Sequence, residues 1–173
     1  MSVSADFHHD ESIRIRTFQS DDQSAVSDLY TNGLLGGQIP DSDTGADIEM
    51  VEDAYLQSKR SHFWVAETDD GVVGMIGVAD DDYDVAEIRR LRVAQDHQDS
   101  PIALRLLEMA LGFCRHHNYL KVRLDTRVEQ EQSRAVALFE RFAFQPSRCR
   151  EVNGKQLIEF YLDLYREPTQ EQA

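Results

Sequence analysis

The chain has 173 residues, 32 of them acidic against 18 basic, for a formal net charge of −14. That length suits one domain with a real core, and so negative a surface argues against nucleic acid and anionic membranes as partners. No run approaches the ~18 unbroken apolar residues of a membrane span, and the polar start does not read as a signal peptide.

Residues 1–12 read as a flexible tail, 13–166 as a single domain and 167–173 as a frayed tail. His8-His9 has no further ligand at suitable spacing, so no metal site is expected. Ile13 to Phe18 alternates as a strand. Ser20-Asp21-Asp22 supplies a cap and acidic first turn for a helix running to about Gly33, with Ala25, Val26, Leu29 and Tyr30 inward. A second helix is predicted from Ala46 to Lys59. Between the two helices, about Gly33 to Gly45, lies a glycine-rich surface loop. Its Asp41 and Asp43 face either solvent or a cationic ligand.

His62–Thr68 and Val72–Ala79 form a hairpin through Asp69-Asp70-Gly71, and Val85–Val93 adds a third antiparallel strand. In that strand Ala86 and Ile88 share one parity while Leu91 and Val93 share the other. Strict alternation cannot bury all four on one face, so an extra residue near Arg89–Arg90 must re-aim the chain as a β-bulge. The alternative, a strand buried on both faces, sits poorly with two adjacent arginines.

A polar loop follows, and Pro101 opens an amphipathic helix whose stripe is Ile102, Leu106, Met109, Ala110 and Phe113. His116 and His117 suit the end of that helix as capping charges. The next strand, Tyr119–Thr126, implies a parallel, right-handed crossover. A helix carrying Ala135, Val136, Leu138, Phe139 and Phe142 comes next. Strands at roughly Phe144–Val152 and Gln156–Leu164 close the domain around Asn153-Gly154. The two cysteines, Cys114 and Cys149, suggest a reducing compartment and a cytoplasmic protein.

The spacing from Val93 through Gln98-x2-Pro101-x-Ala103 resembles the acetyl-CoA signature of the GNAT acyltransferases. There Arg or Gln is followed by x-x-Gly-x-Gly/Ala at a helix start. Downstream, Gln132-x2-Ala135-Val136-x-Leu138-Phe139-Glu140-x2-Ala143-Phe144 resembles the family's second half, usually Asn-x2-Ala-x3-Tyr-Glu-x2-Gly-Phe. The resemblance spans about residues 13–165. It implies an α/β, GNAT-like fold, with a mixed, mostly antiparallel twisted sheet of about seven strands and about four helices. It also implies an N-acetyltransferase with acetyl-CoA as co-substrate and no metal. The acceptor would be an amine of a small molecule or peptide, cationic ones included, and the enzyme a monomer or homodimer.

By the same resemblance, the amides of Gln98, Asp99, Ser100, Ile102 and Ala103 hold the pyrophosphate. Leu91 and Val93 meet the acyl-pantetheine arm, and Gln132 stands at the asparagine position. Glu87 lies eleven residues before Gln98, the spacing of a general base in histone-acetylating members. A strand carboxylate paired with Arg89 or Arg123 is the other reading of Glu87.

Several positions depart from the pattern. Pro101 replaces glycine and removes one N–H donor. Asp99 adds a negative charge, whose repulsion of a phosphate ~6 Å away is about 1–3 kcal/mol at an effective dielectric of 20 to 80. Phe139 replaces the tyrosine that protonates the departing sulfur. A thiol with a pKa of about 8.5 leaves unassisted, so that loss lowers rate without forbidding reaction. These departures also admit a catalytically silent GNAT-fold module that binds an acyl-CoA or a partner.

Overall fold

A computed structural model of the chain describes residues 12–35, 43–82, 84–127, 134–152 and 154–165. Both expected tails, Gly36 and Gly37 with Pro40 and Asp41 of the loop, and Gln132 and Asn153 lie outside the described residues, apart from Ser12. Among the described residues there are seven strands: β1 (Arg14–Thr17), β2 (His62–Thr68), β3 (Gly71–Asp82), β4 (Val85–Val93), β5 (Lys121–Arg127), β6 (Gln145–Val152) and β7 (Lys155–Asp163). The α-helices are α1 (Gln23–Asn32), α2 (Ala46–Glu49), α3 (Val51–Tyr55), α4 (Ile102–His116) and α5 (Arg134–Arg141). The sheet runs β1-β2-β3-β4-β5-β7-β6. Every neighbouring pair is antiparallel except β4 with β5, which the α4 crossover makes parallel.

Helices cover both faces. On one, α4 and α5 bury Ile102, Leu106, Ala110, Val136 and Phe139 against Ile76, Ile88, Leu91, Val122 and Leu124. On the other, α1 and α3 bury Val26, Leu29, Val51 and Tyr55 against Phe63, Val65 and Met75. Two glycines on β3 set how closely these layers approach. A Cβ at Gly74 would stand 2.9 Å from Ile102 Cγ2, and one at Gly77 would stand 2.9 Å from the Tyr55 ring. Bare backbone at those points lets the start of α4 and the end of α3 sit against opposite sides of the same strand.

Two sequence expectations change. The helix expected over 46–59 breaks at exposed Met50 and stops at Tyr55, because beyond Leu56 the run Gln-Ser-Lys-Arg offers nothing to bury. The buried face of α4 is Ile102, Leu106, Leu107, Ala110, Leu111 and Cys114. Met109, expected inside, is exposed, because Leu107 and Leu111 turn the contact line away from it. His117 ends α4 as a cap: its Nδ1 lies 2.9 Å from the Phe113 carbonyl, and its ring stacks on Phe113.

Candidate functional site

β4 changes character halfway along its length. Met75 pairs with Arg92 and Gly77 with Arg89, so Ile76 alone opposes Arg90 and Leu91. This is the expected bulge, centred on Arg90 at φ +60°, an αL conformation that costs a non-glycine residue about 1–2 kcal/mol. It brings Ala86, Ile88, Leu91 and Val93 onto one buried face. It also bends β4 away from β5. Parallel pairing covers only Val85 to Glu87 against Lys121 to Arg123. Beyond that point a cavity of about 110 Å³ opens, lined by Ile88, Arg90, Leu91 and Arg92 on one side and by Leu124 and Phe139 on the other.

The segment after α1 closes one end of this slot. Val93 N–H donates to the Gly33 carbonyl at 2.9 Å, and the Gln98 side-chain amide donates to the carbonyls of Leu34 and Val93, both at 3.1 Å. Leu34 and Leu35 reach the cavity wall. Of the residues the resemblance singles out, Gln98 is thus a staple between β4 and this segment, and the Val93 amide already has a partner.

Around the start of α4 the amides divide. Gln98 and Ser100 N–H groups turn back to Gln95 and His97 carbonyls. The Ser100 hydroxyl also donates to His97 O and accepts only a long bond, 3.4 Å, from Ile102 N–H. Arg105 is the first residue to bond back along the helix, to Pro101 O at 3.0 Å. That leaves Ile102, Ala103 and Leu104 with no helical carbonyl for their N–H groups. Asp99 is almost fully exposed and ion-paired at 2.7 Å to Arg134, at the start of α5, so its charge is matched.

On the α1 side of the sheet, Glu87 sits at the last paired position before the slot. Its carboxylate accepts from Arg89 Nε at 2.8 Å and from Arg123 at 2.5 Å. Arg90 forks to Asp43 and Asp47, with its Nη2 2.9 and 2.6 Å from their carboxylates, and Tyr55 donates to Asp47 at 2.5 Å. Burial, the largest single influence, pushes the Asp43 and Asp47 carboxyls up; the hydrogen bonds and charge of Arg90, together with backbone amides and the Tyr30 and Tyr55 hydroxyls, more than reverse this and leave both below the ordinary carboxylate value. Burial pushes the Tyr55 phenol well up, and Asp47 adds to that. Asp43 therefore faces a protein arginine, neither solvent nor a bound cation.

Arg92 differs from its neighbours. It donates to Tyr30 O at 3.3 Å and Leu91 O at 3.1 Å and lies over the Tyr30 ring. Burial, with Arg90 close by, pulls its guanidinium down to about 10. The motifs pointed to none of Arg90, Arg92, Asp47 and Tyr55. The one signal in the sequence was the arginine pair inside a strand otherwise read as buried.

Phe139 is buried against Phe144 and Phe160 and forms slot wall. Tyr119, a conceivable replacement acid, instead donates to Arg60 O at 2.6 Å beneath that arginine, and burial pushes its phenol up to about 12. Tyr161, the other, lies under Lys121 in a separate polar groove with Asp81, Arg123 and Glu159. Ala143, at the family's glycine position, has φ +67°.

The model of the acetyltransferase (GNAT) family matches residues 30–144. The chain is 34% identical over 104 residues to the probable N-acetyltransferase camello of Xenopus tropicalis, covering 59% of this chain and 47% of that protein. It is also 34% identical over 104 residues to N-acetyltransferase 8 of Homo sapiens, covering 57% and 45%. The chain thus spans about half the length of the curated relatives it matches. A GNAT-family acetyltransferase from Staphylococcus aureus Mu50 superposes with a TM-score of 0.74 at 18% identity, covering 88% of this chain and 99% of that one. The spermidine N-acetyltransferase of Vibrio cholerae, in complex with CoA and spermine, gives 0.66 at 19%, covering 87% and 95%. These two likenesses are of fold.

Proposed function

Because the chain belongs to the GNAT acetyltransferase family, we propose that it transfers an acetyl group from acetyl-CoA to an amine by direct attack. Residues 13–166 would form the working domain, in the cytoplasm. The observation that carries this reading is the opening between β4 and β5 at Arg90, beside the first turn of α4. Acetyl-CoA supplies the activated acyl group.

Each step then falls to particular groups. The N–H groups of Ile102 and Ala103, with that of Asp99 at the turn, would face the pyrophosphate, where the positive end of the α4 dipole favours an anion; the Ser100 N–H can join them only if its bond to the His97 carbonyl opens. Leu91 N–H, at the bulge, would polarise the thioester carbonyl, and one such donor is worth about 10²–10³ in rate. Val93 can grip the arm through its N–H only if the Gly33 carbonyl gives way. Glu87 takes the ammonium proton, directly or through a water. For this, one of its ion pairs to Arg89 or Arg123 must open. The C–N bond forms, the C–S bond breaks, and the sulfur leaves as thiolate, since Phe139 has no proton to give. Gln132 is proposed to support the cofactor arm from the second half of the motif.

The doubly paired Glu87 and the apolar Phe139 also favour a second reading, a module that binds acyl-CoA without turnover. Thiol release from acetyl-CoA across a panel of amines separates the two. The enzyme reading expects saturable release that Glu87→Gln lowers by about 10²–10⁴, the range for a general base. Binding of acetyl-CoA without release from any amine would favour the module.

A further inference from the structure

Arginines cluster at the slot, and all but one are matched. Arg89 and Arg123 meet Glu87, Arg123 also meets Asp81 and Asp125, and Arg90 meets Asp43 and Asp47. Arg92 has no carboxylate partner among the described residues. Its two hydrogen bonds to described residues go to main-chain carbonyls, so three of its five N–H donors have no partner among the described residues. Asp43 and Asp47 lie near enough to attract Arg92, but both are in contact with Arg90 instead; in a chain carrying 32 acidic residues and 18 basic ones, a partly buried arginine beside Arg90 with no carboxylate in contact is a costly arrangement. It becomes favourable when an anion arrives from outside.

The place of Arg92 says which molecule brings that anion. Its side chain packs on Tyr30 of α1, and Tyr30 packs with the cluster under α1 and α3. The pyrophosphate site at the start of α4 belongs to the opposite face of the sheet. Arg92 also touches the Leu91 carbonyl, one peptide from the N–H assigned to the thioester, and it lines the slot itself. An anionic group attached close to the attacking amine falls within its reach.

We propose that Arg92 is the specificity residue for the acceptor, binding a carboxylate carried next to the amine, so that the acceptor is an amino-acid-like zwitterion. The planar guanidinium fork suits a carboxylate. The same arginine repels a polyamine, whose further ammonium groups would have to lie beside it. The two acids nearest that path, Asp43 and Asp47, are already held by Arg90. This inference rests on the acetyltransferase reading.

The test uses the whole chain and matched probes. Calorimetry with acetyl-CoA comes first; absence of binding overturns the acetyltransferase reading itself. With acetyl-CoA bound, thiol release is compared for L-phenylalanine with phenethylamine and for L-lysine with cadaverine. Phenylalaninamide and a Glu-initiated dipeptide amide then separate an α-carboxylate from a side-chain one. The carboxylate-bearing member of a pair should be preferred at least about tenfold in kcat/KM, as expected for a charge-assisted pair. In Arg92→Met that ratio should collapse towards one through a rise in KM for the carboxylate probe, and Arg92→Lys should restore part of it. Equal use of both members, preference for the decarboxylated amine or spermidine, release from none of the probes, or a ratio that survives Arg92→Met would overturn the proposal. The wild-type pairs decide even if Arg92→Met does not fold.

Discussion

The two places where this chain would meet acetyl-CoA have diverged to different degrees. The bulge on β4 works through main chain, and it is intact although its side chains are unusual: an arginine holds the left-handed position and Ile76 opposes two residues. The start of α4 depends on which residues fill the turn, and there Pro101, Ser100 and Asp99 each change what an anion meets. Ser100 caps its own loop and Asp99 pairs with Arg134. Backbone geometry is kept by packing on both sides and tolerates side-chain change; a phosphate turn loses a donor with one substitution.

Deleting Arg90 should have the largest effect. Without the extra residue β4 either zips onto β5 or turns Leu91 and Val93 out of the core, and transfer should fall at least about 100-fold. Arg90→Gly keeps a residue that accepts the left-handed turn, so the deletion should cost far more rate than the glycine. Equal losses would mean the side chain, not the kink, matters.

Arg90→Ala tests stability at the same point. It leaves Asp43 and Asp47 together without their cation, at a cost of about 2–4 kcal/mol at neutral pH for this partly buried group. The sign with pH follows from the native carboxyls. Their folded pKa values lie below the unfolded ones, so their stabilisation is present above about pH 4 and is lost as pH falls through the folded values. In the variant the carboxyls lose the Arg90 hydrogen bonds and charge while burial remains, so their folded pKa values rise. The gap in melting temperature between wild type and Arg90→Ala should therefore narrow as pH drops below about 4. A constant gap would assign the cost to packing.

At the other region, Pro101→Gly with Asp99→Gly returns an N–H and frees Arg134 for phosphate. Acetyl-CoA affinity should improve about tenfold, the worth of one charge-assisted contact. Unchanged affinity by calorimetry would mean the turn does not meet the phosphates. The smallest effect belongs to Ala143→Gly, which relieves φ +67° at the end of α5. It should stabilise by about 1 kcal/mol, read as a rise in melting temperature of a few degrees, while a fall would point to lost packing.

Much of this was legible in the residues. The clash of parity between Ala86–Ile88 and Leu91–Val93 announced the bulge, because burial admits only one face at a time. Hairpin chemistry at Asp69-Asp70-Gly71 fixed β2 against β3. What stayed hidden depends on distant partners. Asp43 meets Arg90 across 47 positions of sequence, and Gln98 reaches back 64 positions to Leu34; neither pairing leaves a periodic trace. Glu87 looked like a base by spacing, with pairing to Arg89 or Arg123 as its other reading; the structure shows both arginines holding it at once. Met109 was misplaced because Leu107 and Leu111 compete for the same stripe of α4.

Amide spectra of ¹⁵N-labelled protein titrated with acetyl-CoA test the central claim most directly. The account predicts that Leu91, Ile102 and Ala103 shift furthest and saturate together, at about micromolar to tens of micromolar ligand for a site of this kind. Shifts confined to the polar groove between β5 and β7, or none up to millimolar ligand, would contradict it.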